Sequence, residues 1–293
     1  MRDEEKRDGA SRAPRSSARI PSSLPAKKRF GQNFLADERV VERIVLEVNP
    51  RSDETIVEIG PGHGALTSRL VERAGRLVAV EFDRDLIPLL REKFAARESF
   101  VLVEGDALAA DFCELIKPAL QARVVANLPY YISTAILQRL IEQRACLTEM
   151  VLMLQREVVE RITAPPGSSE RGFLSVLVEA YCEAESLFDV PPTAFRPAPK
   201  VWSTVVRLRV RAQSPLDAVP ETLLWQVVSA GFSQRRKTIF NNLRSAPEVL
   251  RAQLEKAGGA ARVLDDAGIE AGRRAETLSL EEWRSLTLAL NKY

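Results

Sequence analysis

The stretch that decides the fold reads Thr55-Ile56-Val57-Glu58-Ile59-Gly60-Pro61-Gly62-His63-Gly64. Its first five residues form a largely apolar run, rich in β-branched side chains, that is typical of a buried strand. Glycines follow at alternate positions, and residues 65 to about 74 then predict a helix. Glycines in such a turn let the backbone approach a ligand closely, because they carry no Cβ. The stretch predicts the first strand-turn-helix unit of an α/β fold, and a tight turn without a ligand is the alternative it leaves open.

Polar residues stand at the ends of the next predicted strands. Leu77 to Val80 leads to Glu81, Phe100 to Val103 leads to Asp106, and Arg123 to Ala126 leads to Asn127. The carboxyl ends of parallel strands meet at one edge of a sheet, where α/β proteins bind their ligands. Glu81 lies 21 positions after Gly60, the spacing at which an acidic residue holds a nucleoside ribose in such folds.

The fourth strand ends in Asn127-Leu128-Pro129-Tyr130. The proline fixes φ and has no N–H, so the turn is stiff and the preceding carbonyl is left to accept hydrogen bonds. A side-chain amide, a carbonyl and an aromatic face together suit the exocyclic amine of a flat base. An ordinary strand-to-helix turn is the alternative that these four residues leave open.

The remaining pattern predicts the domain organisation. Residues 1–26 are polar and charged and predict a disordered tail. Residues 27–211 carry the alternating strands and helices, and the helices that follow the linker at Gln213-Ser214-Pro215 predict a second, all-α domain over 212–293. In the strand Thr204 to Arg211 the arginines Arg207, Arg209 and Arg211 share one face, which is equally typical of a solvated sheet face and of phosphate contact.

A dense basic cluster, Arg235, Arg236 and Lys237, opens a helix predicted over 234–244. The net charge is only +2, so any affinity for nucleic acid must come from local clustering. We interpret this cluster as an RNA-binding surface, with a solvated helix end as the alternative.

Composition excludes several classes of protein. The single histidine, His63, lies in the glycine turn, which argues against a Ser-His-Asp hydrolase and against a histidine-rich metal site. The cysteines Cys113, Cys146 and Cys182 form no Cys-x-x-Cys pair, so we expect reduced, buried thiols in a cytoplasmic protein and neither a disulfide nor a metal site. No apolar run has the length of a membrane span.

With these motifs in place, the chain resembles the ribosomal RNA adenine N6,N6-dimethyltransferase family from Lys27 to its C-terminus, and within it the bacterial enzymes of the small subunit. The residues that carry the resemblance are Phe30-Gly31-Gln32-Asn33-Phe34-Leu35, Glu58-Ile59-Gly60-Pro61-Gly62, Asn127-Leu128-Pro129-Tyr130, Phe195 to Val201 and Gln234-Arg235-Arg236-Lys237-Thr238. The resemblance implies a class I S-adenosylmethionine-dependent fold, an α/β structure whose Rossmann-like seven-stranded mixed sheet has one antiparallel strand.

The resemblance also implies the roles of the site residues. S-adenosylmethionine would lie across Gly60, with Glu81 on its ribose and Asp106 on its adenine. Asn33 and Leu35 would close over its methionine end, and Asn127 would bridge cofactor and substrate.

The implied reaction is dimethylation of N6 on two adjacent adenosines near the 3′ end of 16S rRNA, in the immature small ribosomal subunit, with a role in ribosome biogenesis. Asn127 and the Leu128 carbonyl would accept the N6 hydrogens, Pro129 would stiffen the turn, and Tyr130 and Phe195 would stack on the base. We expect a monomer that binds no membrane. Two positions depart from the family pattern: Trp202 replaces an acidic residue and Phe240 a basic one.

The sequence leaves three alternatives open. One is the adenine dimethylase of large-subunit RNA, which shares the core but which the Gln-Arg-Arg-Lys-Thr segment and the long helical C-terminal part disfavour. Another is a ribosome-assembly factor that acts mainly by binding. The third alternative, a nicotinamide dehydrogenase, is the least favoured. The sequence lacks the third-glycine spacing expected of such an enzyme, and Asn-Leu-Pro-Tyr has no role in hydride transfer.

Overall fold

A computed structural model describes residues 32–216 and 219–293. The predicted disordered tail, residues 1–26, and positions 217 and 218 of the linker lie outside the described residues, as do residues 27–31. The strands are β1 (Phe34–Leu35), β2 (Thr55–Ile59), β3 (Arg76–Glu81), β4 (Phe100–Glu104), β5 (Ala122–Asn127), β6 (Leu147–Gln155), β7 (Cys182–Val190), β8 (Phe195–Arg196) and β9 (Ser203–Val210). The α-helices are α1 (Glu38–Val48), α2 (Thr67–Leu70), α3 (Leu86–Lys93), α4 (Phe112–Leu115), α5 (Ser133–Glu142), α6 (Arg156–Ile162), α7 (Phe173–Tyr181), α8 (Glu221–Gly231), α9 (Ile239–Arg244), α10 (Glu248–Lys256), α11 (Ala260–Asp266) and α12 (Leu280–Asn291).

Seven strands form one mixed sheet in the order β4-β3-β2-β5-β6-β9-β7. The first five are parallel, and β9 runs antiparallel to both β6 and β7. The chain moves outward from β2 to β3 and β4, then returns to place β5 on the other side of β2. That reversal opens a crevice at the carboxyl ends of β2 and β5, the position at which such sheets bind ligands. The predicted seven-stranded sheet with one antiparallel strand is confirmed.

Local sequence signals account for most element boundaries. Asp37 caps α1, since its carboxylate accepts a hydrogen bond from the Arg39 N–H at 2.9 Å. Ser279 and Glu282 form a capping box at the start of α12. The helix expected over residues 65–74 is shorter, however, because the turns on either side of α2 bond at three-residue spacing, with Arg69 N–H to the Leu66 carbonyl and Arg73 N–H to the Leu70 carbonyl.

A second, two-stranded sheet was not anticipated. β1 pairs antiparallel with β8, placing Phe34 opposite Arg196 and Leu35 opposite Phe195. The Ala36 N–H extends the contact by donating to the Ala194 carbonyl at 2.8 Å. This small sheet brings residues 32–34 back over the central crevice, where they line a cavity described below.

The helices from α8 onward pack on one face of the large sheet through α7. One continuous apolar core contains Val206 and Leu208 of β9 together with Leu224 of α8 and Trp283 of α12. Glu221, the first residue of α8, accepts a hydrogen bond from the Tyr181 hydroxyl at 2.7 Å and pairs with Arg144 at 3.2 Å. The predicted domain boundary between residues 211 and 212 stays a prediction.

The cysteine expectation is wrong for two of the three residues. The Sγ atoms of Cys113 and Cys146 lie 2.08 Å apart, a disulfide that joins α4 to the turn after α5. These two cysteines do not form the Cys-x-x-Cys pattern on which the expectation rested. They are 33 positions apart, and the fold brings them together. Cys182 is a buried free thiol, as expected, and burial raises its pKa to about 12.

The described residues contain neither a candidate membrane-spanning helix nor a candidate metal site. Within 32–216 and 219–293, no helix has the length and apolar character needed to cross a membrane. The same residues contain no group of three or more histidine, cysteine or acidic side chains arranged to hold a metal ion.

Candidate active site

The glycine turn after β2 has the conformation that its sequence predicts. Gly60, Gly62 and Gly64 have φ angles of 68°, 58° and 77°, in the left-handed region that favours glycine. A Cβ placed on Gly60 would meet no atom within 4 Å, whereas one on Gly62 would lie 3.0 Å from the Phe34 ring. The backbone at Gly60 therefore faces open space.

Glu81, the last residue of β3, organises the floor of the crevice. Its Oε2 accepts a hydrogen bond from the Gly62 N–H at 3.1 Å, and its Oε1 accepts one from the Asp83 N–H at 2.8 Å. The side chain is buried, and burial raises its pKa. Glu81 thus couples the glycine turn to the end of the neighbouring strand while its carboxylate lines the cavity beside Gly60.

Two adjoining cavities occupy the crevice, and Gln32, Gly60, Glu81 and Pro129 line both of them. The larger cavity has a volume of about 260 Å³ and extends along the ends of β3 and β4 to Asp106. The smaller, of about 70 Å³, lies under the segment from Gln32 to Phe34 and beside Asn127 to Tyr130. The structure therefore brings together the predicted residues Asn33, Gly60, Glu81, Asp106, Asn127, Leu128, Pro129 and Tyr130.

Several cavity-lining residues were missed by the sequence reasoning, among them two in the first described segment and two after β3. Gln32 and Phe34 flank Asn33, and Gln32 donates from its side-chain amide to Asp83 Oδ2 at 2.9 Å. Phe82 and Asp83 directly follow Glu81, and the Phe82 ring is 55% exposed at the larger cavity. Their position next to predicted residues is the signal that could have found them.

Asn127 is held in one orientation. Its side-chain Nδ2 donates a hydrogen bond to the Asn33 carbonyl at 3.1 Å. Since the amide nitrogen is directed toward Asn33, the amide oxygen is turned away from that carbonyl and can accept a hydrogen bond from a ligand. The adjoining Leu128 N–H is bound to the Met153 carbonyl at 3.3 Å, which anchors the turn to β6.

Tyr130 is also fixed. Its hydroxyl lies 2.6 Å from the Oγ of Ser203, the first residue of β9, and its carbonyl accepts from the Ser133 hydroxyl at 3.1 Å. Burial raises the pKa of Tyr130, so the phenol stays neutral at physiological pH. Tyr130 lines the smaller cavity, and its hydroxyl is hydrogen-bonded to Ser203.

Two predicted site residues line neither cavity. Leu35 is buried in the apolar core beneath the small sheet, and Phe195, opposite it, is 0% exposed. The expectation that Phe195 presents a ring to a base is therefore not met in this structure, because pairing of β8 with β1 turns the ring into the core. Both residues instead hold the segment containing Asn33 in place.

A buried carboxyl lies two residues before Gly60. Glu58 is 2% exposed, and its Oε2 has no hydrogen-bond partner in the described part of the chain. Burial, reinforced by the nearby Glu81, raises the pKa of Glu58 from 4.5 to about 7. The carboxyl consequently takes up its proton well above the pH at which an exposed glutamate does.

We expect this group to make stability fall as pH rises. The folded state binds the Glu58 proton up to about pH 7 and the unfolded chain only up to about 4.5, so ionisation between these values favours unfolding, by about 3 kcal/mol in total. Glu58→Gln should remove this slope from urea unfolding curves recorded at a series of pH values. The exposed Glu98→Gln should retain it, and parallel wild-type and Glu58→Gln profiles would contradict the assignment.

The arginines of β9, together with Arg211 directly after its end, form ion pairs within the chain. Arg207 contacts Glu47 at 2.8 Å and Glu185 at 3.1 Å, Arg209 contacts Glu185 at 3.3 Å, and Arg211 contacts Glu183 at 3.0 Å. Carboxylates engage all three guanidiniums. The ion-paired sheet face is therefore favoured over the phosphate-binding alternative.

The predicted RNA-binding residues lie in a turn rather than in a helix. Arg235, Arg236 and Lys237 are exposed between α8 and α9, which begins only at Ile239 because Thr238 caps it. Arg235 donates to the Ser169 carbonyl of the loop before α7. We call these three residues the basic turn.

The sheet order, the glycine turn and the polar strand ends together define a class I methyltransferase fold. The family model described as Ribosomal RNA adenine dimethylase matches residues 24–285. The chain belongs to this family.

Comparisons with individual proteins agree. The Ribosomal RNA small subunit methyltransferase A of Chromohalobacter salexigens is 47% identical over 266 residues, covering 89% of this chain and 90% of that protein. The protein of the same name from Acidobacterium capsulatum is 41% identical and covers 96% and 98%. Among solved structures, the 23S rRNA methyltransferase ErmE has a TM-score of 0.65 at 29% identity, covering 88% of this chain and 100% of ErmE. A dimethyladenosine transferase from Plasmodium falciparum has a TM-score of 0.76 at 24% identity, covering 88% and 98%, and supports the fold.

Proposed function

We propose that this chain transfers methyl groups from S-adenosylmethionine to N6 of two adjacent adenosines near the 3′ end of 16S rRNA in the small ribosomal subunit. Family membership supports the reaction, and relatives named as small-subunit methyltransferases support the choice of RNA. The observation that carries the proposal is the fixed side-chain amide of Asn127, whose oxygen is directed away from Asn33 beside the glycine turn. The proposal includes action as a monomer on the immature subunit in the cytoplasm.

The residues of the crevice fit S-adenosylmethionine. The open backbone at Gly60 admits a ligand, the Glu81 carboxylate can accept both ribose hydroxyls, and Asp106 lines the far end of the larger cavity, where an adenine would lie. Asn33 and the main chain of Leu35 would hold the methionine end. The bound cofactor supplies a methyl group activated by a neighbouring sulfonium.

The chain's own contribution is to position the adenine amine. The N6 lone pair is delocalised into the ring, so the amine is a weak nucleophile. The Asn127 Oδ1 and the Leu128 carbonyl accept the two N6 hydrogens, which favours a tetrahedral nitrogen with its lone pair directed at the methyl group. The methylated nitrogen would lose its surplus proton to solvent afterwards. No side chain has to remove a proton before the attack, so positioning and electrostatics carry the acceleration.

The target base must leave its stack to reach this amide. Tyr130 lines the smaller cavity beside Asn127 and is immobilised by Ser203, so it supplies one aromatic face. Base–aromatic stacking of this kind contributes about 1–3 kcal/mol. The buried Phe195 supplies no second face in this structure, and its role is to position the segment that holds Asn33.

The basic turn would hold the RNA phosphates. Replacing Arg235, Arg236 and Lys237 by glutamate should lower the slope of log binding constant against log salt concentration by roughly 2, because each lost phosphate contact removes about 0.7–0.9 from the slope. Filter binding to small-subunit RNA at several salt concentrations measures this slope.

A triple variant of equal charge change controls for net charge. Arg251, Lys256 and Arg262 are exposed on α10 and α11, away from the basic turn in sequence. Their replacement by glutamate should leave the slope close to that of the wild type. Equal slopes for the two triple variants would show that the basic turn is exposed to solvent and does not contact RNA.

Tritium transfer from labelled S-adenosylmethionine tests the proposed function directly. Immature small subunits should accept label at adenine N6, and naked large-subunit RNA should not. The opposite preference would show that the chain acts on large-subunit RNA, the alternative that its similarity to ErmE suggests. Absence of label from both substrates would overturn the proposal.

A further inference from the structure

The carboxyl edge of the sheet is divided into two halves. The proposed cofactor occupies the half formed by β2, β3 and β4, where Gly60, Glu81 and Asp106 lie. Asn127 stands at the centre, at the end of β5. The other half contains the end of β6, the start of β9 and the end of β7. When an RNA strand places one base at Asn127, the neighbouring nucleotides can lie over this second half.

An exposed tryptophan lies on that second half. Trp202 directly precedes β9 and is 45% exposed. Its carbonyl accepts a hydrogen bond from the Arg156 N–H at 3.0 Å, and the Arg156 guanidinium lies 5.0 Å from the centre of its ring. Arg156 is held in turn by Asp189 at 2.5 Å. The indole is thus supported by a cation–π contact and still presents area to solvent.

Trp202 is connected to the proposed substrate site by a single residue. Its neighbour Ser203 is hydrogen-bonded to the Tyr130 hydroxyl at 2.6 Å. One strand, β6, separates β9 from β5, so the two strand ends lie roughly 10 Å apart. This separation suits a nucleotide next to the one whose base is bound at Asn127.

The segment that leads to the indole is basic. Arg196 and Lys200 are exposed in the same segment, and Pro197 and Pro199 stiffen it. Aromatic faces interleaved with basic side chains are the pattern that single-stranded nucleic acid requires, because the rings stack on bases while the cations lie near phosphates. A protein partner would not need this combination beside the methyl-transfer site.

We propose that Trp202 stacks on the unpaired base of the nucleotide that flanks the target adenosine, and so helps to select the RNA strand. The inference rests on the proposed function. Trp202 increases the affinity for the flanking strand, whereas Asn127 and Leu128 make the hydrogen bonds to N6.

Intrinsic fluorescence can detect this contact in the full-length protein. Trp283 is fully buried and Trp225 packs between Phe173 and Tyr181, whereas Trp202 is exposed. A short single-stranded oligoadenylate should quench the wild-type emission, and Trp202→Phe should abolish most of the quenching. Equal quenching by double-stranded RNA, or unchanged quenching in Trp202→Phe, would overturn the proposal.

Kinetics separate binding from chemistry. Trp202→Ala should raise KM for immature small subunits roughly 5- to 150-fold, the equivalent of one lost stacking contact, with kcat changed less than about twofold. Trp202→Phe should restore most of the affinity, and Tyr293→Ala, which removes an exposed aromatic at the C-terminus, should have no effect. A KM unchanged in Trp202→Ala would overturn the inference while leaving the reaction itself intact. A wild-type protein that methylates neither RNA would instead overturn the proposed function.

Discussion

Replacement of Asn127 by alanine should lower the rate of methyl transfer by at least about 10²-fold, the usual cost of removing one positioned hydrogen-bonding group from a reacting centre. The variant loses the oxygen that we propose accepts an N6 hydrogen and the Nδ2 contact to the Asn33 carbonyl. Cofactor affinity should change much less, because Gly60 and Glu81 remain. Single-turnover transfer to immature small subunits, together with calorimetric titration of S-adenosylmethionine, measures both quantities.

Two further variants sharpen this test. Asn127→Asp keeps an oxygen acceptor but replaces the donor that faces Asn33, so it should also be slow if orientation of the group matters. Asn291→Ala, at the exposed end of α12, should transfer at the wild-type rate. Near-normal dimethylation by Asn127→Ala would refute the role assigned to this residue.

Replacement of Glu81 by alanine should weaken cofactor binding by roughly 10- to 150-fold, because hydrogen bonds to a charged group contribute about 1.5–3 kcal/mol. The same change removes the acceptor of the Gly62 and Asp83 N–H groups, so the glycine turn should also become less ordered. Burial raises the pKa of Glu81, and protonation removes an acceptor for ribose hydroxyls. Cofactor affinity of the wild type should therefore fall as pH is lowered through that raised value.

Glu81→Gln retains the shape of the side chain and should remove the pH dependence of affinity. Glu104→Ala is the matched control, since Glu104 ends the neighbouring strand β4 but pairs with Arg84 at 3.0 Å on the surface. Its dissociation constant should equal that of the wild type. An unchanged dissociation constant in Glu81→Ala would show that the ribose contact is wrongly assigned.

The main sheet could be predicted because its strands are short apolar runs that end in polar residues. The apolar run Thr55–Ile59 is predicted with the bounds that the structure gives. Parallel strands present their ends at one edge, so the meeting of Gly60, Glu81 and Asn127 followed from strand order alone.

Other features depend on distant contacts that leave no local pattern. β1 and β8 are two residues long, and they form only because residues about 160 positions apart pair with each other. The burial of Phe195 and the Cys113–Cys146 bond follow from such contacts. The pairing of Arg207 with Glu47 is also of this kind, since periodicity showed which face the arginines share but not which carboxylates lie opposite.

The pairing of β1 with β8 has a consequence for how the protein is made. A chain that has emerged from the ribosome only as far as Val190 already contains every strand that carries Gly60, Glu81, Asp106 and Asn127. It still lacks Phe195 and Arg196, which pair with Phe34 and Leu35, and Ser203, which fixes Tyr130. Because a domain generally folds as a unit, neither the cofactor site nor the face that receives the base should be complete before Ser203 has emerged. Nascent chains released early would lack both the segment that holds Asn33 and the contact that fixes Tyr130.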